Sequence, residues 1–277
     1  MNNPIVSAKW LLENKHLPNL IVLDASMPKP GAKSEPPENR QKIKNARFFD
    51  IEGAFSDKNS PLPHTLPSPE VFTQEAQKLG INQDSIVIVY DSVGIYSAPR
   101  AWFMLKAMGH TSVYVLDGGL LAWAQIGGEI VPFLENENIE KGNFIAHYQE
   151  DMFCDASYVL ETIDDENNIV IDARSEERFL GKVDEPRAGL RRGHIPNSAN
   201  IPFTKVQKNN LMLEAIELQA MFEQIAAKEK TLILSCGSGV TACVVALGAT
   251  LAGYTKLKVY DGSWSEWGLP SDLPVSI

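Results

Sequence analysis

The sequence predicts an α/β protein of two tandem domains, each a parallel β-sheet covered by helices on both faces. Short apolar runs of strand length alternate with runs of helix length, as in parallel sheets with crossover helices. This pattern occurs twice, and three anchor motifs recur at a spacing of about 145 residues. A chain of 277 residues is long enough for two such domains.

Elements in the first half are predicted from apolar runs and their end signals. One helix is expected to have Ser68 as its N-cap, Pro69 at its first position and Gly80 beyond its end. The segment 27–44 is rich in Pro, Lys and Glu, which favours a surface excursion. The remaining predictions are strands over 21–25, 86–90 and 112–116, and helices over 6–15, over 98–108 and after Asp117-Gly-Gly119.

The repeat sets the domain boundaries. We expect a first domain over 1–134, a polar and acidic linker over 135–150, and a second domain over 151–277. The anchors are Asp24-Ala-Ser26 with Asp172-Ala-Arg174, Ile86–Asp91 with Thr231–Cys236, and Asp117-Gly-Gly119 with Asp261-Gly-Ser263. Where the second copy has Cys236 the first has Asp91, so we interpret the first domain as lacking a catalytic cysteine.

The most informative stretch surrounds Cys236. Thr231 to Leu234 predicts a buried strand, Gly237-Ser-Gly239 a turn, and 240–251 an Ala-rich helix. A cysteine at a strand-to-helix turn lies near unpaired backbone N–H groups and the positive end of the helix dipole, which favours the thiolate. A buried core cysteine is the alternative, and this is our interpretation of Cys243.

Composition excludes several classes of function. A net charge of −10 argues against nucleic acid and anionic membranes as partners, and no apolar run reaches the roughly 20 residues that span a bilayer. Three cysteines do not form a disulfide framework, and the first residues do not resemble a targeting segment. We therefore expect a cytoplasmic protein, with no metal and no cofactor because no ligand cluster or nucleotide motif occurs.

The residues around Cys236 resemble those of a known protein family. Cys236-Gly-Ser-Gly-Val-Thr241 is similar to the active loop of two-domain rhodanese-like sulfurtransferases, and most similar to the 3-mercaptopyruvate sulfurtransferases. The resemblance covers nearly the whole chain. Its further motifs include Phe49-Asp-Ile51, Ser60-Pro-Leu-Pro-His64, Tyr96-Ser-Ala-Pro-Arg100, Arg178-Phe-Leu-Gly181, Glu185-Pro-Arg-Ala-Gly-Leu190, Gly193-His-Ile-Pro196 and Asp261-Gly-Ser-Trp264.

The resemblance implies a set of site residues. Cys236 would carry sulfur as a persulfide, held by the loop Gly237, Ser238, Gly239, Val240 and Thr241. Arg178 and Arg187 match the substrate-binding pair of the family, and Ser238 and His64 match its proton relay. The acid of that relay falls on Glu52 or on Asp50, and the spacing leaves this choice open.

Arginine clustering supports a bound carboxylate independently. Five of the eight arginines fall between 174 and 192, and a guanidinium suits a carboxylate with a neighbouring keto oxygen. The alternative is a solvated loop in which these arginines pair with acids such as Asp184 and Glu185. Thiosulfate-preferring relatives carry basic side chains directly after the cysteine, whereas this chain has Gly237 and Ser238.

The function that the resemblance implies is transfer of sulfur from 3-mercaptopyruvate to a thiol such as thioredoxin, or to cyanide, with release of pyruvate. We expect the enzyme to be a monomer. Two alternatives stay open, a thiosulfate sulfurtransferase and a non-enzymatic persulfide carrier. A cysteine phosphatase is disfavoured because Ala242 occupies the place of the phosphate-binding arginine.

Overall fold

The computed structural model describes residues 3–29, 36–134 and 138–277. The chain forms two compact units. The first comprises Met1–Lys58, Leu66–Gln149 and Asn209–Leu211, and the second comprises Asn59–Thr65, Glu150–Lys208 and Met212–Ile277. Each unit is built around its own five-stranded sheet, as the repeat predicts.

The first half of the chain contains strands β1 to β7 and helices α1 to α4. The strands are β1 (Ile5–Val6), β2 (Leu20–Asp24), β3 (Gln41–Ile43), β4 (Arg47–Phe48), β5 (Ile86–Tyr90), β6 (Val113–Leu116) and β7 (Ile130–Pro132). The helices are α1 (Ala8–Asn14), α2 (Pro69–Lys78), α3 (Ala98–Ala107) and α4 (Gly119–Gln125), with a 3₁₀ turn at Pro37–Asn39.

The second half contains strands β8 to β14 and helices α5 to α9. The strands are β8 (Phe153–Cys154), β9 (Asn168–Asp172), β10 (Ala199–Asn200), β11 (Gln207–Lys208), β12 (Leu211–Met212), β13 (Thr231–Ser235) and β14 (Leu257–Tyr260). The helices are α5 (Ala156–Thr162), α6 (Glu176–Phe179), α7 (Ala215–Glu223), α8 (Ala242–Leu251) and α9 (Ser263–Trp267), with a 3₁₀ turn at Phe203–Val206.

The two sheets have the same topology. Their strand orders are β1-β6-β5-β2-β4 and β8-β14-β13-β9-β10, and all of these neighbours are parallel. The central strands are buried on both faces: Val87, Ile88, Val89 and Tyr90 are all inaccessible although successive side chains point to opposite sides. The predicted parallel α/β fold is therefore confirmed in each unit.

Local signals predicted several element ends well. The Ser68 hydroxyl accepts a hydrogen bond from Val71 N at 3.4 Å, and Pro69 is the first residue of α2. Gly80 follows this helix with φ of +65°, a conformation that glycine adopts readily. Strand β5 covers the predicted residues 86–90.

The expectation of a surface excursion over 27–44 is wrong at its C-terminal end, and residues 30–35 lie outside the described ones. Strand β3 pairs antiparallel with β7, and both Lys42 and Ile43 are buried. The Lys42 ammonium donates to the carbonyl of Ala46 at 2.9 Å, so its charge is hydrogen-bonded while its aliphatic stem is covered.

The predicted linker has a structural role in its described part, 138–149; residues 135–137 lie outside the described residues. This segment runs along the first unit, with Gly142 N donating to Gln77 O at 2.8 Å and Phe144 N to Ile81 O at 3.0 Å. The Phe144 side chain is fully buried, and its ring lies 5.3 Å from that of His110. Although the segment is mostly polar, Phe144 therefore attaches it to the core of the first unit.

Candidate active site

Cys236 lies between the carboxyl end of β13 and the first residue of α8, as the sequence predicts. Its side chain is buried. The turn 237–241 contains Gly239 at φ of +75°, which glycine permits without strain. Among the described residues, the backbone N–H groups of Gly237, Ser238, Val240 and Thr241 have no hydrogen-bond acceptor. They are available for an anion at the N-terminus of α8.

A buried serine holds the turn in place. The Ser263 hydroxyl accepts hydrogen bonds from Cys236 N and Gly239 N, both at 3.1 Å, and donates to Tyr260 O at 2.8 Å. Ser263 has φ of +49°, and its counterpart Gly119 in the first copy has φ of +53°. Sequence reasoning missed this role, although the change from Asp-Gly-Gly to Asp-Gly-Ser was a signal.

The first copy contains the corresponding turn with a carboxylate in place of the thiol. Buried Asp91 accepts hydrogen bonds from four backbone N–H groups at 2.8–3.1 Å. These donors are Val93, Tyr96, Ser97 and Ala98. A strand-to-helix turn of this fold therefore directs several N–H groups at a negative charge.

Arg174 and Arg178 share a buried carboxylate. Glu185 Oε1 accepts from Arg174 Nη1 at 2.7 Å and from Arg178 Nε at 3.2 Å, and Glu185 Oε2 accepts from Arg178 Nη2. Arg174 also pairs with Asp172 at 2.6 Å and stacks on Trp264, with its guanidinium carbon 4.1 Å from the ring centroid. Arginines of this cluster thus do pair with a loop acid, as the alternative interpretation holds. The acid is Glu185, and its carboxylate is buried rather than solvated.

Arg178 and Arg187 both lie beside the cysteine turn. A Cβ built on Gly237 would lie 3.3 Å from Arg178 Nη2 and 3.8 Å from Arg187 Nη1. Arg187 Nη1 donates to Ser265 Oγ at 3.3 Å, and Ser265 Oγ in turn donates to Gly237 O at 2.6 Å. The turn has no charged side chain of its own, but two guanidinium groups adjoin it.

His64 contacts the same turn, and the segment 59–65 that contains it belongs to the second unit. Its Nδ1 lies 3.0 Å from Ser238 Oγ, which also accepts from Arg187 Nη2 at 3.5 Å. His64 adopts φ of +63°, an uncommon conformation for a residue with a side chain. The predicted Ser238–His64 pair therefore has hydrogen-bonding geometry.

The two candidates for the relay acid lie in the first unit. The Asp50 carboxylate accepts from Gly53 N at 3.0 Å and Ala54 N at 3.4 Å, so it caps its own turn. The Glu52 side chain is exposed. The acid that partners His64 stays a prediction.

The other cysteines differ from Cys236 in their surroundings. Cys243 is fully buried, and its thiol donates to Gly239 O at 3.3 Å, which fits the prediction of a core residue. Burial raises the pKa of Cys154 to about 12, so this thiol is protonated at neutral pH. The three cysteines form no disulfide. Over the described ranges there is no cluster of His, Cys, Asp or Glu suited to a metal ion, and no helix long and apolar enough to cross a membrane.

Comparison with known proteins assigns both halves of the chain to one domain family. The rhodanese-like domain family matches residues 7–126 and 155–269, one match in each half. This chain belongs to the rhodanese-like family. Each half thus contains one rhodanese-like domain, and only the second carries a cysteine after the fourth strand of its sheet in chain order.

Individual relatives extend the match to nearly full length. The 3-mercaptopyruvate sulfurtransferase of Escherichia coli K12 is 42% identical over 276 residues, which cover 98% of this chain and 96% of that protein. The thiosulfate sulfurtransferase of Bos taurus is 39% identical over 276 residues, which cover 95% of this chain and 91% of that protein. The crystal structure of SseA from Escherichia coli, a 3-mercaptopyruvate sulfotransferase, superposes with a TM-score of 0.84 at 39% identity and covers 95% of this chain and 100% of its own.

Proposed function

We propose that this rhodanese-like protein is a 3-mercaptopyruvate sulfurtransferase. Overall identity alone does not select the donor, because relatives named for 3-mercaptopyruvate and for thiosulfate are about equally similar. The observation that carries the proposal is the placement of Arg178 and Arg187 beside the uncharged turn at Gly237. Two guanidinium groups there suit a donor whose carboxylate and keto oxygen bind away from the attacked sulfur.

In the first half-reaction the Cys236 thiolate attacks the sulfur of 3-mercaptopyruvate. A sulfur–sulfur bond forms, and the carbon–sulfur bond breaks with its electron pair moving into the enolate of pyruvate. The enolate takes up a proton and leaves as pyruvate. Cys236 retains the sulfur as a persulfide, whose outer sulfur ionises next to the N–H groups of the turn.

Arg178 and Arg187 contribute to both binding and bond cleavage. Their guanidinium groups bind the negative charge of the donor and stabilise the charge that develops on the enolate oxygen. Ser238 and His64, whose Oγ and Nδ1 are 3.0 Å apart, supply a route for the proton that the enolate receives. In the second half-reaction an acceptor thiolate attacks the outer sulfur and releases Cys236 as a thiolate.

The proposal extends to partners and location. The acceptor is a thiol such as that of thioredoxin, with cyanide as an assay substitute, and the enzyme acts as a cytoplasmic monomer without nucleic acid or membrane partners. The absence of a disulfide among the three cysteines and a net charge of −10 support this description. Thiosulfate is expected as a poorer second donor, since the same guanidinium groups attract any anion.

The experiment is paired turnover of 3-mercaptopyruvate and thiosulfate by one preparation, combined with intact-mass analysis. Donor without acceptor should add the mass of one sulfur to the wild type and to Cys154→Ser, and nothing to Cys236→Ser. Release of pyruvate should accompany the added mass. Sulfur addition in Cys236→Ser, or absence of pyruvate release in the wild type, would contradict the proposal.

A further inference from the structure

Glu185 has a position that the proposed mechanism does not use. Its side chain is 2% exposed, and its two oxygens bind Arg174 Nη1 and the Nε–Nη2 edge of Arg178. This is a two-point contact between guanidinium and carboxylate, which fixes the plane of Arg178 as well as its location. Arg178 Nη1 is left on the edge that Glu185 does not occupy.

The charges around the turn are nearly balanced. Asp172 and Glu185 lie against Arg174 and Arg178, so two buried carboxylates offset two guanidinium groups. Across the described part of the chain, Arg187 has no carboxylate partner; its hydrogen bonds go to the hydroxyls of Ser265 and Ser238. These two acids and three arginines, counted without Cys236 itself, therefore carry one net positive charge.

One uncompensated positive charge matches one negative charge on the donor. 3-Mercaptopyruvate with a protonated thiol is a monoanion, whereas thiosulfate is a dianion. Without the Glu185 charge the group would carry two net positive charges, which would favour the dianion. The same change would leave Arg178 without the contact that orients it toward a carboxylate.

We propose that Glu185 is a positioning residue that sets donor selectivity, by orienting Arg178 and by holding the net charge beside the cysteine turn at one. This inference rests on the proposed function, because it concerns the choice between two sulfur donors. It predicts opposite effects on the two donors, and a merely structural role would lower both rates together.

The test compares Glu185→Gln with Asp184→Asn, which removes a neighbouring charge from an exposed ion pair with Arg192. The readout is the ratio of kcat/KM for 3-mercaptopyruvate to kcat/KM for thiosulfate. Glu185→Gln should lower this ratio by about 10-fold or more, mainly through a raised KM for 3-mercaptopyruvate and a lowered KM for thiosulfate. Asp184→Asn should leave the ratio within about twofold.

Glu185→Asp separates charge from folding, because it keeps the carboxylate and shortens only its reach. Its ratio should stay within about threefold of wild type even if both rates fall. An unchanged ratio in folded Glu185→Gln, or a fall in Glu185→Asp as large as the fall in Glu185→Gln, would overturn the inference. A wild type that turns over thiosulfate but not 3-mercaptopyruvate would overturn the proposed function instead.

Discussion

The Ser263 hydroxyl offers a sensitive test of how the cysteine turn is held. Ser263→Ala removes the acceptor for Cys236 N and Gly239 N and the donor to Tyr260 O, all of them buried. Each buried polar group left without a partner costs about 1–3 kcal/mol. With three such groups we expect a loss of at least about 3 kcal/mol in the free energy of unfolding, which corresponds to about 6–12 °C in Tm.

A second substitution at the same position isolates the backbone contribution. Ser263 has φ of +49°, where a residue with a side chain is strained by about 1–2 kcal/mol and glycine is not. Ser263→Gly loses the same hydroxyl but gains this relief, so it should unfold at higher temperature than Ser263→Ala. Both variants should lose kcat to a similar extent, by about 10-fold or more, because the catalytic turn loses the same hydrogen bonds in each.

The assay pairs thermal unfolding with single-turnover pyruvate release. The order of stability should be wild type, then Ser263→Gly, then Ser263→Ala. If Ser263→Gly retained both the stability and the kcat of wild type, then the hydroxyl would not hold the turn and our account of Ser263 would fail.

Three further predictions concern other contacts. Arg187→Ala should lower kcat/KM for 3-mercaptopyruvate by about 10- to 150-fold, because the donor loses a charged hydrogen-bonding partner. Arg192→Ala, which removes an exposed ion pair with Asp184, should leave kcat/KM unchanged. Equal effects of the two substitutions would argue against a donor site at Arg187. His64→Ala should slow that turnover by about 10²-fold with Tm nearly unchanged, and an unaltered rate would remove His64 from the relay. Burial lowers the pKa of His110 below 6.5, so the folded state favours the neutral imidazole. The contribution of His110 to the free energy of unfolding is therefore fully present above pH 6.5 and is lost as the pH falls toward the lowered pKa. His110→Phe should reduce the loss in unfolding free energy between pH 7.5 and 5.5, by at most about 1.4 kcal/mol per pH unit. Urea titrations at both pH values would contradict this if wild type and variant lost the same free energy.

Local signals were sufficient for most of the fold. Strand β5 and the ends of α2 follow from an apolar run, a capping serine and a terminal glycine, which act over a few residues. The packing of the predicted linker over 138–149 was missed because only Phe144 in it is fully buried, and a single aromatic residue has no periodicity to detect.

The site was predicted only in part, for a different reason. Cys236 is identified by its own neighbours in sequence, whereas Arg178 and Arg187 are assigned to the site only through the family resemblance and the clustering of arginines between 174 and 192. Position 237 is a glycine, and sequence alone assigns no charge there; the structure brings Arg178 Nη2 to 3.3 Å from its would-be Cβ. The contacts of Ser263 and Glu185 likewise join residues far apart in the chain or across a loop, and such contacts follow from the tertiary fold.

The carboxylate of Asp91 makes the turn of the first copy difficult to convert into a cysteine turn. Because four N–H groups bind it, three of them in buried hydrogen bonds, replacing Asp91 alone removes the acceptor of all four, which is costly before any new chemistry is gained. The turn from Asp91 to α3 is also one residue longer than that from Cys236 to α8. A serine at Gly119 would drive its Cβ into the carbonyl of Asp91. Converting the first turn into a copy of the second would therefore take at least three changes, at Asp91, at Gly119 and in the length of the turn, and no one of them is sufficient.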